Sequence, residues 1–207
     1  RDRKKAELKA LQAQIKPHFL YNVLQAVNWN AIDKGDTETS LIVVNLSNFY
    51  RAVLNKGDDD ISVEKELKIV EYYINVEKAI YGDIFKVVYN IDEDIKNCLA
   101  IPLILQPLVE NAIEHGIRSL AEPHGEIAVS AYAEGGTLVF TVSDNGAGIP
   151  PQKTDTILTK ATSGYGLKNI NERIKLRFGE EYGLRLTSPR CPTVFTITLP
   201  LIPLEPQ

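Results

Sequence analysis

The chain of 207 residues has no methionine, one tryptophan and only two cysteines. Cys98 and Cys191 lie far apart, outside any Cys-x-x-Cys or histidine-rich pattern. We therefore expect two ordinary buried cysteines, and neither a disulfide nor a metal site that depends on them. Because it lacks methionine and starts with RDRKKAEL, the sequence is expected to be a piece of a longer protein.

Long apolar runs and an excess of positive charge are also absent. No apolar run reaches the roughly 18 residues that a transmembrane helix needs, and no secretory signal is recognisable. The 23 basic and 27 acidic residues give a net charge of −4. This balance argues against a nucleic acid as the main partner, since phosphate backbones select basic surfaces.

The first 82 residues show helical periodicity and no strand pattern. The helical segments are interrupted at Gly35-Asp36 and before Ser62, which is suited to cap a third helix with Glu64 and Glu66 in its first turn. We predict a helical hairpin with an added helix over residues 1–82, and its apolar stripe favours a dimeric bundle. The stripe comprises Leu8, Leu11, Ile15, Leu20, Val23, Leu24 and Val27.

Beyond Gly82 the pattern changes to alternating strands with two helices between them. Gly135-Gly136 is predicted to form the turn of a β-hairpin. Together these elements predict an α+β two-layer sandwich for residues 83–207. The predicted strands are Phe85–Ile91, Ile127–Ala133, Leu138–Val142, Leu184–Leu186 and Val194–Leu199, and the helices are Pro102–Ile117 and Gly166–Phe178.

Three polar and glycine-rich motifs occur in this second region: LVENAIEHG at 108–116, DNGAGIP at 144–150 and SGYGL at 163–167. The first places polar residues on an amphipathic helix, and the second follows a strand directly. Glycines at such points allow a backbone to approach a ligand closely. A single Asp-x-Gly-x-Gly is weak evidence because turns use the same residues, but the ordered combination is far more specific.

A histidine in the first region is the candidate nucleophile. His18 follows Pro17, which lacks an amide hydrogen and is predicted to bend the helix. An exposed neutral imidazole is a nucleophile near pH 7, although an isolated surface histidine more often has no role. A helical wheel places His18, Asn22 and Gln25 opposite a packed apolar face formed by Phe19, Leu20, Val23, Leu24 and Val27.

The segments QAQIKPHFLYN, LILQPLVENAIEHGI, DNGAGIP and GYGLKNINERIKLRFGEEYGL resemble the LytS/YesM-type sensor histidine kinases of bacterial two-component systems. The resemblance covers nearly the whole chain. It implies a dimerisation and phosphoacceptor domain at residues 1–82, followed by an ATP-binding domain of the Bergerat (GHKL) type at residues 83–207.

The resemblance also implies roles for individual residues. His18 corresponds to the phosphoacceptor, and Asn22 is placed to orient a water molecule for the reverse step. Asn111 corresponds to the residue that binds Mg²⁺ with the triphosphate, and Glu110 is a further candidate ligand. Asp144 corresponds to the partner of the adenine amino group. The implied nucleotide-binding residues are Asn111, His115, Asp144, Gly146, Gly148, Gly164, Gly166, Leu167, Lys168, Asn169 and Thr193.

The function implied is ATP-dependent autophosphorylation of His18, followed by transfer of the phosphoryl group to an aspartate of a response regulator. We expect a homodimer and a cytoplasmic domain, in a protein anchored in the membrane upstream of this chain. Pro107 stands four residues before Asn111, where a gyrase-type ATPase needs a carboxylate, so hydrolysis is disfavoured.

Two departures from the family motivate an alternative function. Glu114 replaces a usual lysine, and Pro192 precedes Thr193 where the family has glycine. The alternative is a degenerate kinase that acts as a nucleotide-binding dimeric signalling scaffold.

Overall fold

A computed structural model describes residues 17–54, 60–122, 124–154, 156–158 and 165–204. The chain divides into two units, Arg1–Lys56 and Gly57–Gln207. The predicted apolar positions Leu8, Leu11 and Ile15 lie outside the described residues, as does the chain before Pro17 where a bend was predicted.

The first unit contains a helical hairpin. Helix α1 (Pro17–Asp33) and helix α2 (Thr37–Leu54) are joined by a short turn in which Gly35 has a φ of 68°. Asp36 begins α2 by accepting hydrogen bonds from the Thr39 amide (3.0 Å) and the Thr39 hydroxyl (2.7 Å). The predicted break at Gly35-Asp36 is therefore confirmed.

The exposed face of α1 differs from the prediction. Of the five apolar residues expected to pack, only Leu24 is buried and Leu20 is half-buried. Phe19 is 68% exposed, and Val23 and Val27 are each 41% exposed. Leu24 is buried with α2, whereas the other three residues leave an apolar stripe open along the helix. His18 is exposed, as the helical wheel predicted.

The second unit begins with a helix that the sequence assigned to the first domain. Helix α3 (Val63–Tyr81) is capped by Ser62, whose hydroxyl accepts the Lys65 amide at 3.2 Å, and it ends at Gly82. These ends match the prediction. Val63 and Val70 lie in the hydrophobic core of the second unit. For that reason the units divide at Lys56–Gly57, earlier than the domain boundary predicted at Gly82.

A five-stranded sheet forms one layer of the second unit. Its strands are β2 (Phe85–Ile91), β4 (Gly125–Glu134), β5 (Thr137–Asp144), β6 (Gly183–Ser188) and β7 (Thr193–Pro200). They lie side by side in the order β2-β4-β5-β7-β6, with β2 and β4 parallel and the other pairs antiparallel. Gly135 and Gly136 form the β4–β5 turn with φ values of 55° and 80°, so the predicted hairpin is confirmed.

A second, two-stranded sheet pairs β1 (Ile61–Ser62) with β3 (Leu99–Ala100). Both strands are too short to show alternation, so the sequence did not predict them.

Helices form the other layer. Leu108 and Ile174 from the helices pack in one core with Phe140 of the sheet, which confirms the two-layer α+β sandwich. The predicted helix at Pro102 begins only at Gln106, because Leu103 takes a left-handed φ of 61°. The helical elements are α4 (Gln106–Asn111), a continuing π-helical turn (Ala112–Ile117), short α5 (Pro151–Thr154) and α6 (Tyr165–Phe178).

The cysteines fit the sequence expectation only in part. Both thiols are free, and Cys98 is buried, but Cys191 is exposed because it lies in the connection between β6 and β7. None of the helices in the described part of the chain has the length and apolar character needed to cross a membrane.

Candidate functional site

A cavity of about 830 Å³ opens in the second unit where β5 ends. Cavities of this size hold small-molecule ligands. Three segments line it: the end of α4 with the π-helical turn, the loop after β5, and the connection that leads into β7. Its lining residues are Asn111, Ala112, His115, Gly116, Ser119, Asp144, Ala147, Gly148, Ile149, Pro150, Pro151, Lys153, Ile157, Pro189, Arg190, Cys191, Thr193 and Phe195.

Asp144 is the buried acid of the cavity, with only 6% of its surface exposed. It is the last residue of β5, and its neighbour across the sheet is Thr193 of β7. Burial raises the pKa of the Asp144 carboxyl, while hydrogen bonds from the Gly146 amide (2.9 Å) and from Thr193 oppose that rise. The strand register therefore brings together Asp144 and Thr193, two of the residues predicted to bind the nucleotide.

The π-helical turn lies directly against the loop after β5. A Cβ atom on Gly116 would come within 2.5 Å of the Asp144 Oδ1 atom. One on Gly146 would come within 2.3 Å of the Gly116 carbonyl carbon. The Ala147 amide donates to the Gly116 oxygen at 3.1 Å. Only residues without a Cβ allow this approach, which explains both glycines physically.

Asn111 lies at the end of α4 with its side chain on the cavity. The Asn111 Nδ2 atom donates to the Pro107 oxygen at 2.8 Å. The Oδ1 atom has no hydrogen bond among the described residues and is left as an acceptor. An amide oxygen is a ligand that Mg²⁺ accepts, so the residue fits the predicted metal role.

Glu110 fits a metal site less well. It is exposed, does not line the cavity, and accepts a hydrogen bond from Gln106 Nε2 at 3.0 Å. Within the described residues, no three His, Cys, Asp or Glu side chains are grouped as a metal site. A metal ion here would therefore depend on ligand oxygens in addition to Asn111.

The third motif contributes less to the cavity than predicted. Gly164 lies outside the described residues. Gly166, Leu167, Lys168 and Asn169 do not line the cavity, and the Leu167 side chain is buried in the core. The Lys168 Nζ atom lies 3.8 Å from the Oε1 atom of Glu172, one turn further along α6.

The wall formed by Pro189–Cys191 was missed by the sequence reasoning. The Ile149 amide donates to the Pro189 oxygen at 2.8 Å and joins this wall to the loop after β5. Gly148, which was predicted to bind the nucleotide, has a φ of 77°, and a Cβ atom on it would lie 3.3 Å from the same oxygen. The cis peptide bond before Pro192 belongs to this connection. A short proline-containing connection gave no local signal of a binding role.

Glu114, which replaces the usual lysine of the family, does not line the cavity. It forms a salt bridge with Arg118, which also lies 4.2 Å from the centre of the Tyr81 ring. His115 does line the cavity, as predicted. In the first unit, the Nδ2 atom of the Asn22 side chain lies 3.1 Å from the His18 Nδ1 atom.

Two family profiles match the chain. The family described as "Histidine kinase" matches residues 6–85, and that described as "Histidine kinase-, DNA gyrase B-, and HSP90-like ATPase" matches residues 99–203. The chain is 39% identical to sensor histidine kinase YesM of Bacillus subtilis, over 89% of this chain and 31% of that protein. It is 37% identical to sensor protein LytS of Staphylococcus saprophyticus, over 98% of this chain and 35% of that protein. The chain thus spans about a third of the length of these curated relatives.

A solved structure shares the fold. Histidine kinase ThkA, in complex with response regulator protein TrrA, matches with a TM-score of 0.53 and 14% identity. The match covers 98% of this chain and 63% of that chain.

Replacing Gly116 by alanine tests the close approach at the cavity. Helix propensity alone would favour alanine by about 1 kcal/mol. We expect the opposite sign, a loss of about 1–3 kcal/mol in the free energy of unfolding, because the new Cβ atom displaces the Asp144 carboxylate. Urea denaturation measures it. Gly135→Asn is the control, since Gly135 meets open space and asparagine tolerates its left-handed φ. A Gly116→Ala variant as stable as the wild type would contradict this packing.

Proposed function

Because the chain belongs to the sensor histidine kinase family that includes YesM and LytS, we propose that it is the ATP-dependent kinase portion of a two-component sensor. It binds Mg-ATP in the cavity of the second unit, phosphorylates His18 and passes the phosphoryl group to an aspartate of a response regulator. The observation that carries the proposal is that a buried carboxylate, Asp144, and the amide of Asn111 line one cavity of nucleotide size.

Asp144 is suited to select adenine. An ionised carboxylate only accepts hydrogen bonds, and the exocyclic amine of adenine only donates. The Gly146 amide and Thr193 fix the carboxylate, so its free lone pairs have a defined direction. A guanine base presents a carbonyl at the equivalent position and would meet the carboxylate with an unpaired acceptor.

Binding the triphosphate of ATP requires positive charge and a protein ligand for Mg²⁺. Lys153 and Arg190 line the cavity with exposed side chains and supply positive charge. The free Oδ1 atom of Asn111 is the protein ligand offered to Mg²⁺. When bound, the ion neutralises charge on the triphosphate during phosphoryl transfer.

His18 is the proposed acceptor of the phosphoryl group. A neutral imidazole nitrogen attacks the γ-phosphorus, a P–N bond forms, and the bond to the bridging oxygen breaks so that ADP leaves. Asn22 is positioned to hold the ring. The atom that faces Nδ1 in the structure is Asn22 Nδ2, and a 180° rotation of the amide would bring its oxygen to Nδ1–H, the tautomer whose Nε2 lone pair is free to attack.

Hydrolysis by the same site is disfavoured. Pro107 occupies the position where a gyrase-type ATPase carries its water-activating carboxylate. Its carbonyl oxygen instead accepts the Asn111 amide hydrogen. This arrangement orients a metal-binding side chain and offers no base to a water molecule.

The partners are a second copy of the chain and a response regulator. The apolar stripe of Phe19, Val23 and Val27 on α1 is exposed in the part of the chain that the structure describes, and its burial in a bundle would favour dimerisation. The ThkA complex contains a response regulator, and we extend that partner to this family member. We further propose that the full-length protein is anchored in the membrane and exposes this part in the cytoplasm.

Nucleotide binding is tested with two substitutions. Asn111→Ala is expected to weaken Mg-ATP binding about tenfold, about 1.4 kcal/mol, because it removes the amide oxygen. Asp144→Asn is expected to reduce the preference for ATP over GTP by a similar factor. Calorimetry measures both, with the exposed residues Asn90→Ala and Asp92→Asn as controls. Unchanged affinity and unchanged preference would contradict the assignment of this site.

Dimerisation is tested by placing charges on the stripe. Val23→Glu combined with Val27→Glu is expected to convert a dimer into a monomer, because two carboxylates would be buried without partners. Sedimentation at about 50 µM, where even a weak interface assembles, measures the change. Gln25→Glu, an exposed substitution off the stripe, is the control. A wild-type chain that sediments as a monomer would contradict the proposal.

Phosphorylation is tested with labelled ATP. Incubation with Mg-ATP is expected to give a label on His18 that is labile in acid and stable in base, as a P–N bond requires. His18→Gln should abolish the label, with folding and ATP binding unchanged because the side chain is exposed. His124→Gln, also exposed, should retain it. A label that survives in His18→Gln would overturn the assignment.

The same assay separates the kinase from the scaffold alternative. Glu114 pairs with Arg118 and supplies no cation at the position of the family lysine. Normal ATP binding without any phosphohistidine in the full-length protein would favour the nucleotide-binding scaffold.

A further inference from the structure

A fully buried glutamate joins helix α3 to the segment that precedes helix α4. The Glu66 side chain has no exposed surface. Its Oε2 atom accepts the Leu103 amide at 2.9 Å, and its Oε1 atom accepts the amides of Ile104 and Leu105, each at 2.8 Å. One carboxylate therefore satisfies three consecutive backbone donors that lie 37–39 residues away in sequence.

These donors are the entrance to the helix that carries Asn111. The amides at the start of a helix have no partner inside it and need an external acceptor. Leu105 is the N-cap residue of α4, and its own side chain makes no capping bond. The Glu66 carboxylate accepts the amide of this N-cap residue and the two amides before it, so the start of α4 is anchored by α3 rather than by a local side chain.

The segment held by Glu66 is also under strain. Leu103 has a φ of 61°, a left-handed conformation that costs a residue with a Cβ energy and persists only where its surroundings impose it. The Pro102 oxygen accepts a hydrogen bond from Arg173 Nη2 of α6 at 2.6 Å. The segment is therefore fixed from two sides, by α3 and by α6.

The start of α4 sets the direction of Asn111. Each residue turns an α-helix by about 100°. If the chain slipped by one residue at the start of α4, Asn111 would rotate by about that angle and its Oδ1 atom would leave the cavity. Asp144 and Thr193 are held by the β5–β7 register, and Gly116 contacts Asp144 at the opposite end of the helical segment from Glu66, so the adenine end would be preserved.

We propose that Glu66 is a positioning residue of the nucleotide site: it fixes the start of α4 so that the Asn111 amide oxygen faces the cavity. It acts on the Mg²⁺-dependent part of binding and leaves base recognition unchanged. This inference rests on the proposed function where it concerns the nucleotide, but the placement of α4 is independent of any ligand. Burial raises the pKa of the Glu66 carboxyl to about 7, against the lowering effect of the three amides and Arg173, so the carboxylate dominates at pH 8.

Glu66→Gln is the first test variant. A glutamine has one acceptor oxygen, and its NH₂ group would face a backbone N–H, so the three donors cannot all be satisfied. Glu66→Asp is the second, since it keeps the charge but is one methylene too short to reach all three amides. Glu64→Gln, exposed on the same helix, is the matched control. Circular dichroism identifies any variant that fails to fold, and the aspartate variant then decides.

Two measurements on the full chain at pH 8 test the proposal. Without nucleotide, amide hydrogen exchange across residues 103–111 should quicken at least tenfold in the Glu66 variants and stay unchanged in the control. By calorimetry, Mg-ADP affinity should fall about tenfold while ADP affinity in excess chelator stays within twofold.

The outcomes test the placement of α4 by Glu66 separately from its effect on nucleotide binding. Unchanged exchange at residues 103–111 overturns the role of Glu66 in placing α4. Quickened exchange with equal losses of affinity with and without Mg²⁺ overturns its selective action on the Asn111 end. Wild-type chain that binds neither form of ADP contradicts the proposed function, while the exchange measurement still decides whether Glu66 places α4.

Discussion

The contact between the Gly116 backbone and the Asp144 loop is the constraint on which the site depends. A Cβ atom at either Gly116 or Gly146 would overlap its neighbour, so the π-helical turn and the loop meet at backbone distance. This contact sets the spacing between Asp144 on the sheet and Asn111 on the helix. Asp144 and Asn111 then both lie on the walls of one cavity.

The parts of the molecule that the sequence predicts are those with local causes. The turn at Gly135-Gly136, the cap at Ser62 and the alternating strands follow from neighbouring residues. The role of Gly116 does not, because the atom that excludes a side chain there belongs to Asp144, which is distant in sequence and lies on the sheet. The family resemblance likewise implied that Leu167 binds the nucleotide, whereas its side chain points from α6 into the hydrophobic core.

Glu66 shows why buried charges are hard to identify from sequence. A glutamate in the first turn of a helix is favourable through the helix dipole alone, so the local pattern offered a sufficient explanation. The structure gives it different partners, the amides of Leu103, Ile104 and Leu105. The stripe on α1 differs in the same way: its helical period was predicted, but among the described residues Phe19, Val23 and Val27 remain exposed.

Strands β5 and β7 pair from Thr137–Pro200 to Asp144–Thr193, although α5, α6 and β6 lie between them in sequence. Closing such a connection costs conformational entropy that grows only logarithmically, by about 0.6 kcal/mol for each doubling of its length. In evolutionary terms, the parts of this connection that neither pack in the core nor line the cavity are therefore free to lengthen or shorten among relatives at little thermodynamic expense. The contact between Gly116 and Gly146 has no such freedom, and divergence is expected to accumulate in those other parts while this contact stays fixed.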